Sequence, residues 1–273
     1  MNLKTSHSML LAALVAASGV AQAQTAQSGQ TAQTPAPVAA EPTSPFAFNV
    51  GVVSDYRFRG ISQSRLKPAL QASVDFAHDS GLYVGLWAST IRILKDLQIA
   101  PGVQGKGPVE LDIYGGYKGK INDNFAYDIG ILRYEYPREN FPVTVNTTEL
   151  YGALTFGPAT VKYSHSIGKQ TFGVPNSRGS YYLEAAATFD LGNGFALTPH
   201  VGYQKYDGSI LGVSNDFASY TDYSLGIVKD MGGGFSLSGT VVGTDTKDPF
   251  YASGNNGKNL GKTGVVVGAK YTF

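Results

Sequence analysis

Alternation of apolar and polar residues with a period of two runs through most of the chain after residue 45. Leu70, Ala72, Val74 and Phe76 are separated by Gln71, Ser73 and Asp75. Leu111, Ile113, Gly115 and Tyr117 alternate with Asp112, Tyr114, Gly116 and Lys118, and Tyr181, Leu183, Ala185, Ala187 and Phe189 with Tyr182, Glu184, Ala186 and Thr188. Val265, Val267, Ala269, Tyr271 and Phe273 repeat the pattern at the end. Successive side chains of a strand point to opposite faces, so each segment has one oily and one wet side. Continuing along the chain predicts about twelve strands of roughly ten residues, the length a tilted strand needs to cross a bilayer. They fall at residues 46–59, 67–77, 82–92, 109–120, 125–136, 147–156, 159–169, 180–190, 195–206, 221–229, 235–246 and 262–273.

The connections sharpen this picture. Residues 78–81, 121–124, 157–158, 191–194 and 230–234 are tight and rich in Gly, Asn, Asp and Pro, which supply the positive or preset φ of hairpin turns. Residues 60–66, 93–108, 137–146, 170–179, 207–220 and 247–261 make longer connections, and the two kinds alternate strictly. Outer-membrane barrels sort their turns this way, short on the periplasmic side and long outside. The fold expected is therefore all-β: a closed antiparallel up-and-down transmembrane β-barrel. A soluble sandwich gives no reason for such sorting, and its facing sheets favour larger residues than the many Ala and Gly of these strands. Phe46, Phe48, Phe76, Phe125, Tyr136, Phe156, Phe189, Phe195, Phe235 and Phe273 stand toward segment ends, as a girdle at the lipid headgroups requires.

The first residues read differently. Lys4, the apolar run from Met9 to Ala17 and Ala21-Gln22-Ala23 form the three parts of a cleaved secretory leader over residues 1–23. The apolar run is too short for a membrane-spanning helix, which needs about 20 residues. Residues 24–45, rich in Gln, Thr, Ala and Pro, bury too little surface to order and are expected to be disordered, leaving 46–273 as one barrel domain. The expected location is the outer membrane of a Gram-negative cell. Net charge is +1 with only 15% charged residues, so nothing electrostatic calls for nucleic acid. The absence of cysteine excludes a disulfide framework and thiolate metal sites.

Val53-Ser54-Asp55-Tyr56-Arg57-Phe58-Arg59-Gly60-Ile61-Ser62-Gln63-Ser64 resembles the opening strand of the TorF-family porins, a group of bacterial outer-membrane proteins. Pro68-Ala69-Leu70-Gln71 and Gly81-Leu82-Tyr83-Val84-Gly85-Leu86-Trp87-Ala88-Ser89 are similar to its next two strands, and Glu110-Leu111-Asp112 and Tyr114-Gly115-Gly116-Tyr117 fit as well. The resemblance runs from about Phe46 to the end and implies fold and location more than a substrate. Tyr271-Thr272-Phe273 resembles the aromatic signal read by the barrel-assembly machinery, which with outer-membrane lipids would be a partner.

If the oily face meets lipid, parity turns Asp55, Arg57, Arg59, Asp75, Asp112, Lys118, Asp128, Glu149, Lys162, Glu184 and Lys270 inward as pore-lining candidates. An Arg or Lys facing lipid at mid-membrane costs about 2–4 kcal/mol. These charges either line a wet channel for small hydrophilic solutes or ions, or pair across a packed interior and plug it as a structural or adhesive barrel. Asp55-x-Arg57-x-Arg59 forms a ladder near the external end of the first strand that either attracts anions or is neutralised by Asp55, Asp75 or Glu149. A lipid-modifying enzyme would need a nucleophile and a base at one depth. Ser164-His165-Ser166 and His200 offer the residue types without a framing motif, so no catalytic site is expected. His78, His165 and His200 lie in separate segments, and Gly232-Gly233-Gly234 precedes no helix, so neither a metal nor a cofactor is expected. The long polar loops suit exposure on the outside, either folding inward to narrow the lumen or meeting a partner.

Overall fold

The computed structural model describes residues 44–97, 103–246, 250–254 and 257–273. The leader expected at 1–23 lies outside the described residues, as does the 24–45 segment save for Ser44 and Pro45. Twelve strands form one closed antiparallel sheet. They are β1 (Phe46–Val53), β2 (Ala69–Ala77), β3 (Leu82–Thr90), β4 (Val109–Lys120), β5 (Phe125–Glu135) and β6 (Thr147–Phe156). β7 (Ala159–Ser166), β8 (Tyr181–Ala187, continued by Phe189–Gly192), β9 (Phe195–Lys205), β10 (Tyr220–Gly232), β11 (Phe235–Thr244) and β12 (Gly264–Thr272) complete the wall. Each strand pairs with its neighbours in sequence, and β1 meets β12 with Val50 opposite Tyr271. Closure satisfies every sheet edge, the condition for strands in hydrocarbon.

The break inside β8 has a local cause. Ala186 pairs with His200 and Phe189 with Leu197 in one unbroken register. Between them stands Pro199, which has no N–H to give to the ladder.

Burial confirms the alternation strand by strand. Val50, Leu70, Val84, Ile113, Ile129, Leu150, Val161, Leu183, Val201, Leu225, Leu237 and Val265, one from each of β1 to β12, are all exposed on the outside. A soluble monomer does not carry an apolar belt of that extent; a wall facing lipid does. Phenylalanines ring the end with the tight turns: Phe46 meets Phe76 at 5.1 Å, Phe125 meets Phe156 at 4.8 Å and Phe48 meets Phe273 at 5.8 Å between ring centres. Tyrosines mark the opposite end on the outer face, with Tyr163, Tyr181 and Tyr203 stepping across β7, β8 and β9. Tyr136, expected in the girdle, is instead buried inside, its hydroxyl donating to Glu110 at 3.3 Å.

The largest correction concerns the first strand, expected to reach Arg59. It ends at Val53, and residues 54–66 leave the wall. Arg57–Phe58 and Ile61–Ser62 pair as a miniature hairpin whose turn uses positive φ at Arg59 (46°) and Gly60 (79°). Asp55 drives the departure: it binds Arg57 at 2.5 Å and accepts from Ser62 and Ser64 at 2.5 and 2.8 Å. A carboxylate with a guanidinium and two hydroxyls around it is satisfied within the hairpin itself.

Candidate functional site in the barrel lumen

The hairpin crosses the lumen. Arg57 donates to the carbonyls of Gly60 and Leu260 at 2.9 Å and of Lys262 at 3.2 Å, fastening one side to the segment that leads into β12. Arg59 reaches the far wall, donating to both oxygens of Glu149 on β6 at 3.0 and 2.7 Å and to Gln204 on β9 at 2.6 Å. Its guanidinium lies 4.1 Å from the Tyr182 ring centre and 4.9 Å from that of Phe58. Burial works against the Arg59 charge, but the adjoining Glu149 carboxylate raises its pKa well above the usual value. A buried cation with a forked carboxylate partner and ring faces holds its place better than an isolated charge. Removing either partner strands the other.

Along the inner wall one device recurs: a carboxylate held by a tyrosine hydroxyl from another strand, in most cases one strand removed. Tyr83 donates to Asp128 at 2.5 Å, Tyr182 to Asp222 at 2.7 Å and Tyr134 to Glu149 at 3.3 Å, while Tyr114 bonds Asp75. Tyr136, just past β5, serves Glu110. Burial first, then the nearby Glu110 and Asp112 carboxylates, pushes the Tyr56 and Tyr136 hydroxyls well above the phenol range, so both remain neutral. Lys162 sits 4.4 Å from the Tyr151 ring centre, and Lys118 lies 5.7 Å from that of Tyr83.

All of the residues singled out by parity face the interior. Asp55, Arg57, Arg59, Asp75, Asp112, Asp128, Glu149, Lys162 and Glu184 are buried, and Lys118 and Lys270 are half-buried. Asp55, Arg57 and Arg59 belong to the crossing hairpin and do not form a ladder on a strand. Sequence reasoning passed over Glu110 and Asp222, which share the inward parity of Asp112 and Ser224, and over the tyrosines that hold the acids. Parity was the signal available for all of them.

The residues considered for catalysis are not assembled. His200 lies between Glu184 at 3.1 Å and Asp222 at 3.4 Å. Ser166 accepts from Thr171 at 2.7 Å, and His165 faces outward beside Tyr163. The whole of β8 separates Ser164 and Ser166 on β7 from His200 on β9.

With this geometry in view, the comparisons are direct. A family model described as a bacterial protein of unknown function, Gcw_chp, matches residues 39–273. The chain belongs to that family. No curated protein matches it. Among solved structures, the KdgM porin is similar over 84% of this chain and 98% of its own, with a TM-score of 0.51 and 8% identity. The NanC porin is similar over 83% and 98%, with a TM-score of 0.52 and 10% identity. These likenesses are of fold: Gcw_chp residues here build a barrel of the porin type.

Proposed function

We propose that this Gcw_chp chain is a passive outer-membrane channel for small hydrophilic solutes or ions, narrowed at its long-loop end by the 54–66 hairpin. The observation that carries the reading is the sidedness of the closed wall. Its outside is a continuous apolar belt, while its inside holds ionisable groups, most with hydrogen-bond or charged partners, the sidedness of a wall between lipid and a polar lumen. Asp55, Arg57, Arg59, Asp75, Asp112, Lys118, Asp128, Glu149, Lys162, Glu184 and Lys270 are proposed to line the passage, joined by Glu110 and Asp222. The chain is further proposed to be exported with a cleaved leader, to be inserted by the barrel-assembly machinery through the strand ending at Phe273, and to share its role with the TorF-family porins.

Charge favours neutral or cationic solutes. Arg57 and Arg59 are matched by Asp55 and Glu149, which withdraws the two charges that would draw anions. Along the rest of the inner wall the acids Asp75, Asp112, Asp128 and Glu184 outnumber the bases Lys118, Lys162 and Lys270 by formal count. A KdgM porin has been crystallised in complex with oligogalacturonate; an acidic saccharide of that kind would meet carboxylates here. Single-channel recording of refolded protein across a salt gradient tests the reading, which expects a measurable conductance and a reversal potential of cation-selective sign. A protein that inserts and never conducts would defeat it. The buried pairs of the hairpin favour a second reading, a closed barrel, in which conductance emerges only when Arg59 is replaced.

A further inference from the structure

A cavity of about 650 Å³ opens among the long-loop connections beside the hairpin. Its wall is made by Phe58 from the hairpin and by Phe172, Tyr206, Tyr220, Phe250 and Tyr251 from three other connections and the start of β10. The volume falls within the range of sites that enclose a small molecule. The rings meet edge to face, Phe58 with Phe172 at 5.2 Å, Tyr220 with Tyr251 at 5.1 Å and Phe250 with Tyr251 at 4.8 Å. That arrangement leaves ring faces and edges turned toward the space, the geometry in which a further ring packs well.

The chemistry of the wall narrows the occupant. Asp96 is the one charged residue lining the cavity among the described residues, and it is matched by Arg65 at 2.5 Å and by the Ser253 hydroxyl at 2.9 Å. Among the described residues, a charged ligand would find no unmatched counter-charge. The Tyr251 hydroxyl donates to the Ala218 carbonyl and the Tyr136 hydroxyl to Glu110, so these polar tips are already committed to the protein. Of the other polar side chains lining the cavity, only Gln63, Tyr206 and Tyr220 remain among the described residues, too few to replace the water a saccharide would lose. We infer that the cavity is a binding site for a neutral aromatic molecule of one or two rings, taken up at the long-loop mouth. The site stands on its own geometry. Its place on a transport route rests on the channel reading above.

The test is equilibrium dialysis of 1-naphthol against the refolded full chain in detergent, with protein-free micelles as the reference. Saturable binding of one molecule per chain is expected. Ala252→Trp and Ile210→Trp fill the cavity from different walls, and each should weaken binding at least tenfold while retaining heat-modifiable mobility on a gel. Phe217→Ala, at an exposed ring of the same wall, should weaken it several-fold and serves if either larger substitution prevents folding. Uptake no greater than that of micelles, or unchanged binding in folded variants, overturns the assignment. Displacement by maltose at equal concentration also overturns it, marking a saccharide site instead. Conductance without 1-naphthol binding removes this site and leaves the channel standing. Binding without conductance does the reverse.

Discussion

The two ends of the lumen are lined by the same twelve strands and are filled quite differently. Toward the long loops, the inner wall carries Tyr134, Glu110, Glu149, Tyr182 and Gln204, each at most 2% exposed, and the hairpin lies among them. Toward the tight turns, the same face carries the half-open Ala126, Ala153, Thr160, Ala186 and Ser238, interleaved with the buried Tyr83, Thr198 and Val228. A wall of about twelve strands encloses more space than one ring of small side chains fills. Whether that space stays open is therefore decided by side-chain size and by one inserted segment, not by strand number. The contrast teaches that closure and constriction are separate properties of this fold.

The sharpest way to break the contrast is Arg59→Ala. It leaves Glu149 buried without its forked partner and should destabilise the barrel by about 3–5 kcal/mol in denaturant unfolding. The hairpin, freed from the far wall, should also let conductance rise severalfold in bilayer recordings. Arg59→Lys should rescue little, because an ammonium cannot reproduce the two parallel bonds. Next in size is Gly60→Ala. The residue sits at φ 79°, and an added Cβ would press on Thr244 and Asp222. A cost of about 1–3 kcal/mol is expected, and a matching gain in conductance would tie the hairpin turn to the constriction. Tyr83→Phe removes the hydroxyl from Asp128 and should cost about 1–3 kcal/mol for the buried acceptor left behind, with a smaller change in reversal potential. At the tight-turn end, Ser238→Ala should stay within about 0.5 kcal/mol of the parent protein and leave conductance unchanged. An effect there as large as that of Arg59 would erase the distinction between the two halves.

Much of this arrangement was legible in the residues, and the failures have one source. Every barrel strand lies where period-two alternation placed it, because one face of each strand meets lipid along its full length and tolerates no slip. The tight turns coincide for the same reason: Gly81, Gly157, Gly194 and Gly234 take positive φ, as their composition required. Alternation also continues past Val53, where Tyr56 and Phe58 look like two more outward residues. They are buried against Trp87 at 5.3 Å and Tyr134 at 5.3 Å, because an aromatic ring is equally at home in lipid and in a packed lumen. Periodicity reports which residues share a face. It carries nothing about whether the backbone still belongs to the wall, and only long-range partners such as Glu149, Gln204 and Leu260 decide that. Counting charges alone likewise overlooked Tyr83, Tyr114 and Tyr182, whose inward parity was as plain as that of the acids they hold.

The hairpin's moorings also constrain the order of biogenesis. Its anchors lie 90 residues downstream at Glu149, 145 at Gln204 and 203 at Leu260, although the hairpin itself follows the very first strand. Contacts so distant in the chain form late, since loop closure must be met before they reward it. A nascent barrel therefore carries its own stopper loose inside the wall, and the stopper can seat fully only once the seam between the first and last strands has drawn together.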